Sequence, residues 1–163
     1  MENIPRKIIV HHTASSSRST TIRMIDDWHK QRQFTKSVRG FFIGYHFVID
    51  ASGYVHRTRE DNEIGCHTKG QNDKSIGICL IGNFDFEYPT IGQINSLGMV
   101  LVGLSKQYEI PISQILPHRY FSSTDCYGKR LADDWAQRVM LEAELSQIKK
   151  ILLWIQMKIG GKI

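Results

Sequence analysis

The chain has 163 residues, with 41% hydrophobic and 23% charged side chains, which is the size and composition of one soluble domain and excludes disorder, collagen and a disulfide miniprotein. The formal net charge of +5 is mild, and the basic residues are scattered apart from the doublets Lys129-Arg130 and Lys149-Lys150. That pattern offers no groove-length basic run, so no nucleic-acid partner is expected.

Met1 to Pro5 carries no apolar signal core, which predicts synthesis in the cytoplasm without a signal peptide. Lys7-Ile8-Ile9-Val10-His11 is a β-branched run ended by Thr13-Ala14-Ser15 and reads as a buried strand. A Ser/Thr cluster from Ser15 to Thr21 leads into Ile22, Ile25 and Trp28 at helical spacing, predicting a helix over Thr21–Gln33. Tyr45–Ile49 and Tyr54–Arg57 flank Asp50-Ala51-Ser52-Gly53, the pattern of a β-hairpin. Ser75–Ile81 is almost continuously apolar and reads as a central strand covered on both faces. Thr90 and Gln93 form a capping box that opens a helix with Ile94, Leu97, Leu101 and Leu104 on one face. A further helix is expected from about Asp133 or Asp134. The fold class is α/β: a single domain with a central mixed β-sheet flanked by helices, plus a C-terminal helical extension. The expected division is 1–137 for the domain and 138–163 for the extension.

His11 closes the first strand, His118 follows Pro117 in a connector, and Cys126 lies eight residues later. Two imidazoles and a thiolate suit Zn²⁺, and three protein ligands would leave one tetrahedral position open, as catalysis requires. There is no HExxH and no paired CxxC, so spacing alone does not single out a metal site. The odd number of cysteines, Cys66, Cys79 and Cys126, fits a reducing compartment during synthesis.

Five ordered motifs add to this. Val10-His11-His12-Thr13, Gly44-Tyr45-His46-Phe47-Val48-Ile49, Gly65-Cys66-His67, Asn72 with Ser75-Ile76-Gly77-Ile78, and His118-Arg119 with Thr124-Asp125-Cys126-Tyr127-Gly128 follow one another between residues 6 and 137. Together they resemble the N-acetylmuramoyl-L-alanine amidase family, which includes T7-type phage lysozymes and the peptidoglycan recognition proteins. The resemblance implies zinc held by His11, His118 and Cys126, and a catalytic tyrosine at Tyr45. It implies an oxyanion donor at Thr124, and a substrate groove lined by His67 and Asn72. It further implies cleavage of peptidoglycan between N-acetylmuramic acid and L-alanine, as an endolysin that reaches the periplasmic cell wall after release. The alternative is a module that recognises muropeptides without cutting. Two departures stand out. Cys66 replaces the usual alanine before His67, which would put a second thiol near the site. Tyr127 replaces a proline after Cys126, which would free the loop's φ.

Taken singly, the other histidines read as structural. His12 would point away from His11 along the strand, His46 is a packed or hydrogen-bonded strand residue, and His29 and His56 look like surface residues. Cys79 reads as a small buried hydrophobe. In the tail, Leu141, Leu145, Ile148, Leu152, Ile155 and Ile159 follow an alternating four–three spacing. Ile151 and Trp154 widen the stripe, and Lys149, Lys150, Lys158 and Lys162 decorate it. Three readings stay open: a helix lying on the domain, a self-association seam, and a cationic helix in contact with a membrane.

Overall fold

The computed structural model describes residues 2–17 and 19–160, with side chains described as far as residue 156. The Ile159, Lys158 and Lys162 positions of the tail stripe thus lie outside the described side chains. Five strands form one mixed sheet: β1 (Lys7–His12), β2 (Phe47–Ile49), β3 (Val55–Arg57), β4 (Ser75–Leu80) and β5 (Ile115–Pro117). The order is β3-β2-β4-β1-β5, parallel throughout except for the β2–β3 hairpin. Every residue of β4 is buried, as expected of a central strand whose apolar run has no polar alternation.

Strand alternation divides the core in two. Ile8, Val10, Ile76, Ile78 and Leu80 face α2 (Ile91–Tyr108) and the start of α3 (Trp135–Gly160), meeting Leu97, Leu101, Leu104, Val139 and Met140. Val48, Cys79 and Ile81 face the other way, against Ile25 of α1 (Ile22–Gln31) and Ile43. Helices α1 and α2 start as their sequences predict. Thr21 accepts from the Met24 amide, and Thr90 with Gln93 makes the full reciprocal capping box. Helix α1 ends at Gln31, two residues before the expected Gln33, because Gln33 takes a left-handed φ of 60° and the Phe34 amide turns back to the His29 carbonyl. Helix α3 is continuous across residues 137 and 138. Ala136, Val139 and Met140 belong to the core, whereas all described side chains from Leu145 onward are exposed.

Candidate active site

Parallel pairing brings the first two candidate ligands together. β1 pairs with β5 through Val10 and Pro117, so His11 and His118 emerge side by side at the carboxyl ends of adjacent strands, the usual location of a site in a parallel sheet. Their ring centroids are 4.5 Å apart. Cys126 is delivered by the loop after β5, and its Sγ lies 3.7 Å from His11 Nδ1. Potential donor atoms of His11, His118 and Cys126 all fall within 4.8 Å of one another.

That set fits a tetrahedral zinc. Zn–N near 2.0–2.1 Å and Zn–S near 2.3 Å demand an N···S edge of roughly 3.5 Å. Burial holds the His11 ring well below its ordinary pKa, and burial lowers His118 as well. Both imidazoles are therefore neutral, as metal binding requires. Burial also pushes the Cys126 thiol up to about 12, against the opposing effect of the His12 amide, which donates to Sγ at 3.4 Å. A cation at this position is the charge that would favour the thiolate.

A chain of hydrogen bonds behind His11 selects its tautomer. The Ser75 hydroxyl donates to the Gln71 carbonyl at 2.7 Å, so Ser75 Oγ can only accept from His67 Nε2, 3.4 Å away. His67 then carries its proton on Nε2, and its Nδ1 accepts from His11 Nε2–H at 3.1 Å. The unprotonated nitrogen of His11 is thereby Nδ1, the one facing Cys126. Thr68 Oγ1 lies beside both rings, at 3.0 Å from His67 Nδ1 and 3.4 Å from His11 Nε2. Asn72 Oδ1 accepts from the amides of His67 and Thr68 and so holds the turn that carries them. Gly77 makes room for the His67 ring: a Cβ there would lie 2.6 Å from it.

Tyr45 stands over the same face. Its ring is 5.0 Å from His11, 5.4 Å from His29 and 6.4 Å from His67. Burial, with a hydrogen bond to the Cys79 thiol, keeps its hydroxyl protonated well above the ordinary tyrosine range. Cys79 is therefore both a buried apolar residue and the partner of Tyr45; β4 pairing sets it opposite His11. A cavity of about 110 Å³ opens beside Tyr45, lined by Thr13, Ile25, Trp28, His29 and Arg32. Thr124 is exposed on the Cys126 loop. Its Oγ1 accepts from the Cys126 amide at 3.3 Å, which leaves the hydroxyl proton able to point outward.

Several expectations change in this setting. His29 is buried, not a surface residue: its Nδ1 accepts from the Gly44 amide and its ring packs on Phe34, because the chain after α1 folds back over it. Cys66 is outside the ligand group, and the charged neighbour that acts on its thiol is Arg59. Tyr127 does not leave its loop loose. Its ring is fully buried and its hydroxyl donates to the carbonyls of Ala132 and Asp133. His12 behaves as alternation predicts, pointing to the opposite face, where its Nδ1 accepts from the Phe84 amide. His46 accepts from the Gly77 amide and binds the Glu63 carbonyl, so both ring nitrogens are used.

Sequence motifs alone assign no role to Thr68, nor to Ser75 and Arg119, although the last two lie within the ordered motifs. Arg119 lies over the Tyr127 ring at 5.2 Å, donates to the Gly128 and Leu131 carbonyls, and pairs with Asp133 at 2.6 Å. Its own amide donates to the Cys126 carbonyl at 2.8 Å, tying the residue after one ligand to the other ligand. The only available signal was adjacency to His118, which does not reveal what a guanidinium will reach.

The fold and the His/His/Cys site define a peptidoglycan amidase-type α/β protein. The chain belongs to the N-acetylmuramoyl-L-alanine amidase family, whose pattern it matches over residues 1–129. It is 37% identical over 109 residues to the endolysin of Escherichia phage T7, covering 63% of this chain and 68% of that one. It is 33% identical over 144 residues to the endolysin of Klebsiella phage KP32, covering 85% and 90%. Among solved structures, the endolysin amidase LysCS from Clostridium intestinale superposes with a TM-score of 0.70 at 34% identity, covering 78% of each chain. A more distant similarity, 32% over 127 residues, is to peptidoglycan-recognition protein LB of Drosophila melanogaster, covering 76% of this chain and 55% of that protein.

Proposed function

We propose that the chain hydrolyses the amide bond between N-acetylmuramic acid and L-alanine in peptidoglycan, as an endolysin with zinc held by His11, His118 and Cys126. The observation that carries this reading is the convergence of two neutral imidazoles and a thiol within 4.8 Å beneath the Tyr45 ring. Bound zinc supplies Lewis acidity there, polarising an amide carbonyl and acidifying water to a pKa near 7.

The remaining work falls to side chains of this protein. His67 holds His11 with Nδ1 free, and Asn72 fixes the turn beneath it. Tyr45 stays a protonated hydroxyl at neutral pH, so it acts as a donor that orients the attacking water or the carbonyl rather than as a phenolate base. Thr124 offers an outward hydroxyl on the ligand loop, where it can donate to the oxygen that gains charge as the carbonyl becomes tetrahedral. Overall, one water is consumed: its hydroxyl ends on the lactyl carboxylate, and a proton goes to the leaving L-alanine amine. The groove side of His67 and Asn72, with the cavity at Trp28 and Arg32, is the surface we assign to the muropeptide.

The activity is tested by incubating purified protein with peptidoglycan and following new L-alanine amino termini, with and without a zinc chelator. Release that stops on chelation and returns with zinc is the expected result. Tight sedimentation with peptidoglycan and no release from zinc-loaded protein would replace this reading with a recognition module, a role suggested by the similarity to the recognition proteins.

A further inference from the structure

Helix α3 presents its apolar stripe away from the protein. At 100° per residue, Leu141, Leu145, Ile148, Leu152 and Ile155 fall within an arc of about 80°. Ala136, Val139 and Ala143, which pack on the domain, lie on roughly the opposite side of the helix. Ala143 sits against Gly98 of α2, and the cleft between α2 and α3 is continued by the polar Ser146, Gln147 and Lys150. The outward residues are 38–58% exposed, as are Ile151, Leu153 and Trp154, so the segment 151–155 is apolar on every side of the helix.

Charge separates at the same point. Glu144 is the last acidic residue of the chain, and beyond it the described side chains of α3, through residue 156, are all exposed. Beyond it come Lys149, Lys150, Lys158 and Lys162, four of the five net positive charges of the protein, while the first 144 residues are almost balanced. The family pattern ends at residue 129, before α3 begins, so the amidase domain does not account for this segment. No helix among the described residues is long and apolar enough to cross a membrane.

We propose that α3 beyond Glu144 is a docking face for an anionic phospholipid surface, lying in the interface with Leu145, Ile148, Leu152 and Ile155 among the acyl chains and Lys149, at the edge of the stripe, at the headgroups. An apolar stripe edged by a lysine, in a segment whose only charges are lysines, is the pattern that partitions into such an interface. A second copy of the chain fits less well. Its seam would cover one stripe and leave the exposed Leu153 outside it, and after Glu144 no acidic side chain is available to pair with the lysines.

The test is co-sedimentation of the full chain with vesicles of pure phosphatidylcholine and with vesicles containing phosphatidylglycerol, together with light scattering of the protein alone. Binding to the anionic vesicles only, weakened by salt, is expected. Lys149→Gln should lower partitioning about fivefold, from roughly 1 kcal/mol for a lysine near an anionic surface. Leu152→Gln should lower it on the order of tenfold. The substituted positions are exposed, and circular dichroism checks that the variants stay folded. Failure of the unmodified protein to bind, or equal binding to both vesicle types, overturns the proposal. So does a dimer in solution that Leu152→Gln dissociates, which would assign the stripe to a second copy. None of these outcomes depends on amidase activity.

Discussion

His11 Nε2 and His67 Nδ1 lie 3.1 Å apart, and the Ser75 and Gln71 links behind them make His11 the donor. One ring of the candidate zinc site is thus aimed by a residue that touches no metal. Such outer partners typically tune metal affinity 10–100-fold.

His67→Ala is accordingly expected to weaken zinc binding by about 10–100-fold while the protein stays folded. Competition with a chromophoric chelator measures it. Gly77→Ala should act in the same direction, since its Cβ would meet the His67 ring at 2.6 Å. Unchanged affinity in both variants would mean that His11 is oriented by the strand alone.

Cys126→Ala should remove both stoichiometric zinc and hydrolysis. Cys66→Ala should retain both, because Cys66 stands outside the ligand group. Metal analysis of the two purified variants distinguishes them, and zinc persisting in Cys126→Ala would require another ligand.

Tyr45→Phe keeps the ring against His11 and removes only the hydroxyl. We expect zinc to remain and kcat to fall by about 10²–10⁴. A loss confined to KM would instead make Tyr45 a substrate contact.

Burial holds the His46 pKa at about 4 against an ordinary 6.5, with the Gly77 amide donating to the unprotonated Nδ1. The unfolded chain takes up this proton first, so its contribution to stability is complete above about pH 6.5 and is lost as pH falls toward 4, amounting to roughly 3 kcal/mol. His29, also held at about 4, acts in the same direction. Denaturant midpoints between pH 7 and pH 4.5 should drop for the native protein, and less steeply for His46→Gln. Parallel slopes would show that other groups carry the acid sensitivity.

Arg119→Lys keeps the charge but loses the planar fork that reaches Gly128, Leu131 and Asp133. Two carbonyls of the ligand loop then lose a donor. Destabilisation of about 1–3 kcal/mol is expected, together with weaker zinc binding. A variant as stable as the parent, with normal zinc affinity, would show that burial of Tyr127 alone holds the loop.

Much of this protein is legible in the chain itself, because the signals are local. The strand at Lys7, the capping box at Thr90 and Gln93, and the inward and outward alternation of His11 and His12 depend on backbone periodicity and on neighbours three residues away. The candidate ligands were legible as residue types in ordered motifs. Tertiary structure decided what depends on distant partners: that β1–β5 pairing sets His118 beside His11, and that His67 and Ser75 choose the His11 tautomer. It also buried His29 under a returning loop and bound Arg119 and Tyr127 into a clamp on the Cys126 loop. The tail shows the same division. Spacing marked an apolar stripe on α3, but only the packing of Ala143 against α2 determined that the stripe faces outward. Periodicity defines the faces of a helix, and the choice of which face is buried belongs to the surfaces it meets.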